Sequence, residues 1–103
     1  MDELKVLKAI SNETRLQILK WLKDPTENFE PQSHSLSTNN FLGGVCVASI
    51  KKRVGLSQST VSNYLSLLHE SGLLEAKNIG QWTYYRRNQE AVEKLADWLK
   101  FDL

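Results

Sequence analysis

The 103-residue chain contains one cysteine, one methionine, two histidines and two prolines. A single thiol, Cys46, excludes an internal disulfide and gives no pairing logic for an oxidising compartment. No apolar run approaches the ~20 residues needed to span a bilayer. The opening MDELKVLKAI puts acids first and polar breaks throughout, unlike a secretory leader. The expectation is a cytoplasmic protein with no membrane partner. No His/Cys/carboxylate cluster stands at a metal-ligand spacing, and Cys46 as a nucleophile would lack an evident base and orienting group. No enzyme and no cofactor are expected.

Hydrophobic residues make up 41% and charged residues 24%, which fits a folded globular chain and not a disordered tail. The length suits one domain over residues 1–103. So small a core buries a modest share of the surface, and a dimer interface would add to it.

Net charge is only +1, yet it is unevenly spread. No acid occurs between Glu30 and Glu70, and the basic Lys51, Lys52, Arg53, Lys77, Arg86 and Arg87 lie in the middle of the chain. The two ends are mildly acidic. Such a distribution can give a near-neutral protein one positive face, to which a phosphate backbone responds. Chance clustering on a solvated surface is the alternative.

Apolar spacing predicts helices over about 2–10 (Leu4, Leu7, Ile10) and about 12–23 (Leu16, Leu19, Leu22, with Ile18 adjoining). Ser11-Asn12 supplies capping chemistry, and Asp24-Pro25 ends the second helix. Residues 24–44 lose periodicity and read as a long loop, with Phe29 and Phe41 suited to pin its ends; a tolerated insertion and a functional element both fit. A short helix follows at about 46–54, burying Val47, Ile50 and Val54. Gly55 turns the chain, Ser57 caps a helix over about 58–71, and Val61, Leu65 and Leu68 line its inner face. Gly72 suits the left-handed residue that ends it. Strand-like sequence then surrounds Asn78-Ile79-Gly80-Gln81, a hairpin with its turn there. Asn88 caps a last helix, about 89–101, with Val92, Leu95, Ala96 and Leu99 as its inner stripe. The expected fold is mainly α with a small β-hairpin, a winged helix-turn-helix in the order α-α-α-α-β-β-α.

Two helices joined by a short Gly-containing turn form a helix-turn-helix, whose second helix presents its N-terminal residues to base edges. Here that helix opens SQSTVSNY. With Val61, Leu65 and Leu68 turned inward, Gln58, Ser59, Ser62 and Asn63 face out, with Thr60 nearby. Gln and Asn can bond adenine bidentately, and Ser reaches bases or phosphates. Residues 58–69 carry no Asp, Glu, Lys or Arg, whereas an inert solvated face more often does. Lys51 and Lys52 flank the helix. A turn at Ile79-Gly80-Gln81 would make a wing beside that helix, and Lys77 and one of Arg86 and Arg87 are placed to meet phosphates. Trp82, Tyr84 and Tyr85 read as hairpin packing.

SNETRLQILKWL, followed by GLSQSTVSNYLSLLHESGLLEAKNIGQWTYYRR, resembles the ArsR/SmtB winged-helix transcriptional repressors over roughly four-fifths of the chain. The resemblance implies a homodimer paired through its first and last helices, bound to a pseudo-palindromic operator on double-stranded DNA and released by an effector. Gln58, Ser59, Thr60, Ser62 and Asn63 match the base- and phosphate-contacting start of the recognition helix, and Gly80 and Gln81 the wing tip. Tyr64 stands where many members have histidine. Many members sense soft metals through a C-V-C pair, but here the segment is Cys46-Val47-Ala48. One thiolate without partners does not build such a site. The last helix has no histidine for the family's other metal site, so no metal is expected. His34 and His69 read as ordinary surface or partly packed residues.

Cys46 itself reads either as a small buried filler or as a thiol whose modification releases DNA. A transcriptional repressor is the leading function. A winged-helix protein-interaction module that never touches DNA is the alternative.

Overall fold

The computed structural model describes residues 1–33 and 36–103; His34 lies outside the described residues. The elements are α1 (Glu3–Ile10), α2 (Glu13–Lys23), α3 (Pro25–Asn28), β1 (Val45–Cys46), α4 (Val47–Val54), α5 (Gln58–Glu70), β2 (Leu74–Ile79), β3 (Trp82–Arg87) and α6 (Gln89–Phe101). The expected order is present, with two additions. One is a single helical turn after Asp24, started by Pro25, whose fixed φ suits a first helical position. The other is β1. Cys46, expected to open the next helix, instead joins Val45 in a strand. They run extended and pair antiparallel with Tyr85 and Tyr84, which carries Val45 into the core.

Side-chain caps fix the helix starts. Asp2, Asn12, Ser57 and Asn88 each accept a hydrogen bond from the backbone N–H three residues on, at 3.0–3.2 Å. The end of α5 is a Schellman motif. The Leu73 N–H donates to Leu68 O at 3.1 Å and the Gly72 N–H to His69 O at 3.0 Å. Gly72 takes φ +89°, a left-handed conformation that glycine adopts without a Cβ clash.

The sheet order is β1-β3-β2, all antiparallel. The hairpin is tighter than the sequence suggested. Asn78 and Ile79 are in the strand, with Ile79 opposite Trp82, and only Gly80 and Gln81 make the turn. Gly80 has φ +63° at the first turn position, where a type II′ turn favours glycine. Burial of Ile79 against Phe41 and Tyr84 draws the strand out to its end.

The main core gathers Val6, Ile18, Leu22, Val45, Ile50, Leu65, Leu68, Leu73 and Leu95 from the helices and one face of the sheet. Val61, Leu65 and Leu68 anchor α5 as expected; each full burial is worth ~1.5–3 kcal/mol. The opposite face of the sheet carries a second, smaller cluster. There Phe41 and Leu36 cover Ile79, Tyr84 and Cys46. The 24–44 segment is thus partly structural. Phe41 pins one end, and Phe29 pins the other by packing edge-on to Trp21 with ring centroids 6.4 Å apart.

Two helix faces differ from expectation. In α1, Leu7 and Ile10 pack on the core as expected, beside the buried Val6 and Ala9, while Leu4 is 62% exposed. In α6, Ala91 and Leu95 are buried and Val92 and Trp98 pack on the core, but Ala96 and Leu99 face outward. Both helices are apolar on two sides, and a single protomer covers only one of them. Among the described residues, no helix is long and apolar enough to cross a membrane.

Candidate nucleic-acid interface

The start of α5 is assembled around Ser57. Its Oγ accepts from the Thr60 N–H at 3.2 Å, and its hydroxyl donates to Thr60 Oγ1 at 2.9 Å. Thr60 is therefore half-buried and engaged locally. Gln58, Ser59, Ser62 and Asn63 are exposed on the outer side. Beyond their own hydrogen-bonding capacity, they surround the positive end of a 13-residue helix, which favours an anion.

The basic run on α4 divides. The Lys51 Nζ donates to Gln58 Oε1 at 3.0 Å and so joins the α5 face. Lys52 turns the other way, 3.7 Å from a Glu30 carboxylate oxygen. Arg53 lies over the Trp21 ring, 4.7 Å from its centroid. Helical geometry separates neighbours by about 100°, so three consecutive cations do not share one face.

Tyr64 points inward. It packs on the core with the Arg15 guanidinium 5.1 Å from its ring centroid. Arg15 is held there because its Nε donates to Ala9 O at 2.7 Å and a terminal nitrogen donates to Lys8 O at 3.2 Å, closing the end of α1. The helix C-terminus attracts a cation for the same reason that the N-terminus attracts an anion.

On the wing, Gly80 and Gln81 are exposed at the tip. Tyr84 is buried and Tyr85 half-buried, as packing predicts, but Trp82 is 49% exposed. Trp82 lines a groove of about 370 Å³ together with Lys51, Gln58, Ser62 and Thr83. Thr83 and Tyr85 line the groove from the α5 side of the sheet, whereas Trp82 stands opposite Ile79, in the strand parity of Tyr84 and Arg86, and borders the groove from the end of the hairpin. Lys77 and Arg86 lie on the opposite sheet face. The Lys77 Nζ donates to Asn39 O. The Arg86 Nε donates to Glu75 Oε1 at 3.0 Å, a terminal nitrogen lies 3.4 Å from Leu42 O, and the guanidinium sits 4.4 Å from the Phe41 ring centroid. Arg87 faces the other way, as alternation requires, and donates to Gln89 Oε1 at 3.0 Å. Burial pushes its guanidinium down and the Tyr85 phenol up from their ordinary values.

Cys46 is a half-buried free thiol at the edge of the second cluster, and its backbone N–H donates to Gln32 Oε1 at 2.8 Å. Among the described residues no group of three or more His, Cys, Asp and Glu could hold a metal ion. His69 is exposed, edge-on to Tyr85 with ring centroids 6.4 Å apart.

Residues 42–76 match the family of bacterial regulatory proteins described as the arsR family. The chain is 47% identical, over the full length of both proteins, to an uncharacterized HTH-type transcriptional regulator, YbzH, of Bacillus subtilis (strain 168). It is 33% identical over 97 residues to a putative arsenical resistance operon repressor, ArsR2, of Halobacterium salinarum, covering 94% of this chain and 67% of that one. Its fold superposes with a TM-score of 0.66 on the homodimeric winged helix-turn-helix DNA-binding domain of a possible ArsR-family transcriptional regulator from Mycobacterium bovis. That match has 29% identity and covers 92% of this chain and 73% of the other. The family match over residues 42–76 runs through β1, α4, α5 and the opening of β2. By descent as well as by fold, this chain belongs to the arsR family of bacterial regulatory proteins.

Proposed function

We propose that the protein is a sequence-specific DNA-binding transcriptional repressor, acting in the cytoplasm as a homodimer on a pseudo-palindromic operator and leaving it when an effector or a thiol modification intervenes. One observation carries this reading: α5 presents a capped, uncharged, hydrogen-bonding N-terminal face with Lys51 beside it. That combination suits a major groove, where Gln58 and Asn63 meet base edges while Ser59, Thr60 and Ser62 serve bases or phosphates. Gly80 and Gln81 approach the neighbouring backbone from the wing. Lys52, Lys77 and Arg86 stand at the margin of the footprint. Each already has a partner within the protomer and adds a phosphate contact by exchanging it.

Two copies pair through α1 and α6. These helices pack on each other and leave Leu4, Leu99 and Phe101 exposed, apolar surface of the kind that association covers. Residues 1–103 act as one domain, by binding and not by catalysis.

The test is an electrophoretic shift against genomic fragments under a salt titration. A retarded species that selects particular fragments, at two protomers per site and with a steep salt slope, supports the reading. No shift on any fragment at low salt would overturn it in favour of a protein-interaction module.

A further inference from the structure

Besides covering the outer sheet face, the segment between α2 and β1 forms a cleft of about 460 Å³. Phe29, Leu36, Leu42 and Val45 supply apolar wall, and Leu42 is 74% exposed there. Glu30 and Gln32 line the same cleft. Volume, apolar walls and a few convergent polar groups are the attributes of small-molecule sites. A recess of this size accepts a ring or a short chain, and not a helix ~10 Å across with its side chains.

The polar groups of the cleft are bonded to α4. Gln32 Oε1 accepts the Cys46 N–H at the entry to the helix. Glu30 Oε1 lies 3.4 Å from the Ser49 hydroxyl that donates to it, and Oε2 lies 3.7 Å from the Lys52 Nζ. At its far end α4 holds Gln58 through Lys51. A short series of bonds therefore connects the cleft with the first residue of the reading helix.

We propose that this cleft binds an uncharged, mainly apolar small molecule carrying one hydrogen-bond donor, and that α4 reads its occupancy through Gln32. The donor competes with the Cys46 N–H for Gln32 Oε1. The Glu30 carboxylate beside the cleft disfavours an anion. The consequence for DNA rests on the function proposed above; binding in the cleft does not.

The experiment titrates the ¹⁵N-labelled full chain, without DNA, with indole, 2-naphthol and 1-octanol, and follows amide shifts. At least one probe gives saturable shifts at Phe29, Leu42 and Val45 that extend along Cys46–Lys51. Leu42→Glu weakens them at least tenfold. Leu42 is exposed, so this variant removes nothing from the core, and unchanged Leu65 and Leu68 amides verify the fold. Gln32→Ala weakens probe binding, since it removes the acceptor for the probe's donor; at saturating probe it keeps the shifts at Phe29 and Leu42 and loses those along α4. The proposal is overturned if no probe gives saturable shifts, or if Leu42→Glu leaves them unaltered. It is equally overturned if Gln32→Ala still transmits them, or if they follow protein concentration in place of probe, which would make a second copy the occupant. In a second arm, DNA affinity measured by fluorescence anisotropy falls at least threefold with the probe, and not in Gln32→Ala. An unchanged affinity in the parent overturns the reading by α4. A parent that binds no DNA at all counts against the proposed function, and the shift titration then decides the cleft alone.

Discussion

Lys51, in the last turn of α4, holds the side-chain oxygen of Gln58, the first residue of α5, at 3.0 Å across the turn between the helices. The bond orients an exposed amide before any DNA arrives and sets a cation beside the helix N-terminus. An exposed polar pair of this kind adds little to stability, so its consequence falls on binding. Lys51→Ala should leave thermal unfolding unchanged and weaken binding to all DNA sequences. The slope of log K against log salt should drop by about 0.9, the value for one phosphate contact. An unaltered slope would remove Lys51 from the footprint.

Gln58→Ala and Asn63→Ala should behave differently, because a base contact carries sequence information and a phosphate contact does not. Each should cost ~1–3 kcal/mol on the preferred site and relax discrimination at one position per half-site. The measurement is competition between the preferred site and single-base variants of it. A loss equal on every sequence would reassign the residue to the backbone.

Ser57 separates folding from recognition. Its side-chain oxygen caps α5, and Ser57→Ala should lower unfolding free energy by about 1 kcal/mol. Ser57→Asp preserves a capping oxygen and favours the helix dipole, so its Tm should stay near the parent's. The added carboxylate meets phosphate, and like charges in an interface cost several kcal/mol. DNA affinity should fall at least tenfold in the Asp variant while stability holds. A tight-binding Asp variant would mean that this end of α5 does not approach the backbone.

Arg86 has two competing engagements. Within the protomer it joins Glu75, Leu42 O and the Phe41 ring, and a phosphate would have to replace the first two. Arg86→Ala should therefore lower the denaturant midpoint, with a change in salt slope below the ~0.9 of a full phosphate contact. A full-unit change with no loss of stability would show the exchange to be complete on DNA.

The parts of the fold legible in the sequence are those where independent local signals agree. For α5, Ser57 at the start, Gly72 at the end and Val61, Leu65 and Leu68 between them all specify one helix in one orientation. β1 was not legible, because two residues have no period; only pairing with Tyr84 and Tyr85, some forty positions on, makes them a strand. The α1 and α6 stripes were read in part: Leu7, Ile10, Val92 and Leu95 pack on the core, but Leu4, Ala96 and Leu99 face out, because both helices are apolar on two sides and spacing alone does not say which side a protomer covers. At the site, the outward α5 residues followed from helix periodicity. The engagement of Lys77 and Arg86 did not, since Asn39 and Leu42 lie 38 and 44 residues away in sequence. Phe41 was identifiable as an anchor, yet its partners Ile79 and Tyr84 come from the far side of the sheet.

Gly44 tests how closely that anchor is fitted. A Cβ at Gly44 would lie 2.5 Å from Phe41 Cδ2, 2.9 Å from Cε2 and 3.1 Å from the Phe41 carbonyl oxygen. Phe41 is buried and cannot swing clear without uncovering Ile79 and Tyr84. Gly44→Ala should therefore destabilise by ~1–3 kcal/mol, the usual range for overpacking, as measured by denaturant unfolding. Phe41→Leu alone should also destabilise, through lost burial. Combined, the two changes should cost less than the sum of the separate losses, because the smaller side chain vacates the space that the new methyl needs. Residues in contact show such non-additivity at 0.5–3 kcal/mol. Strictly additive losses would mean that the methyl is accommodated by backbone movement, and that Phe41 does not lock this segment to the sheet.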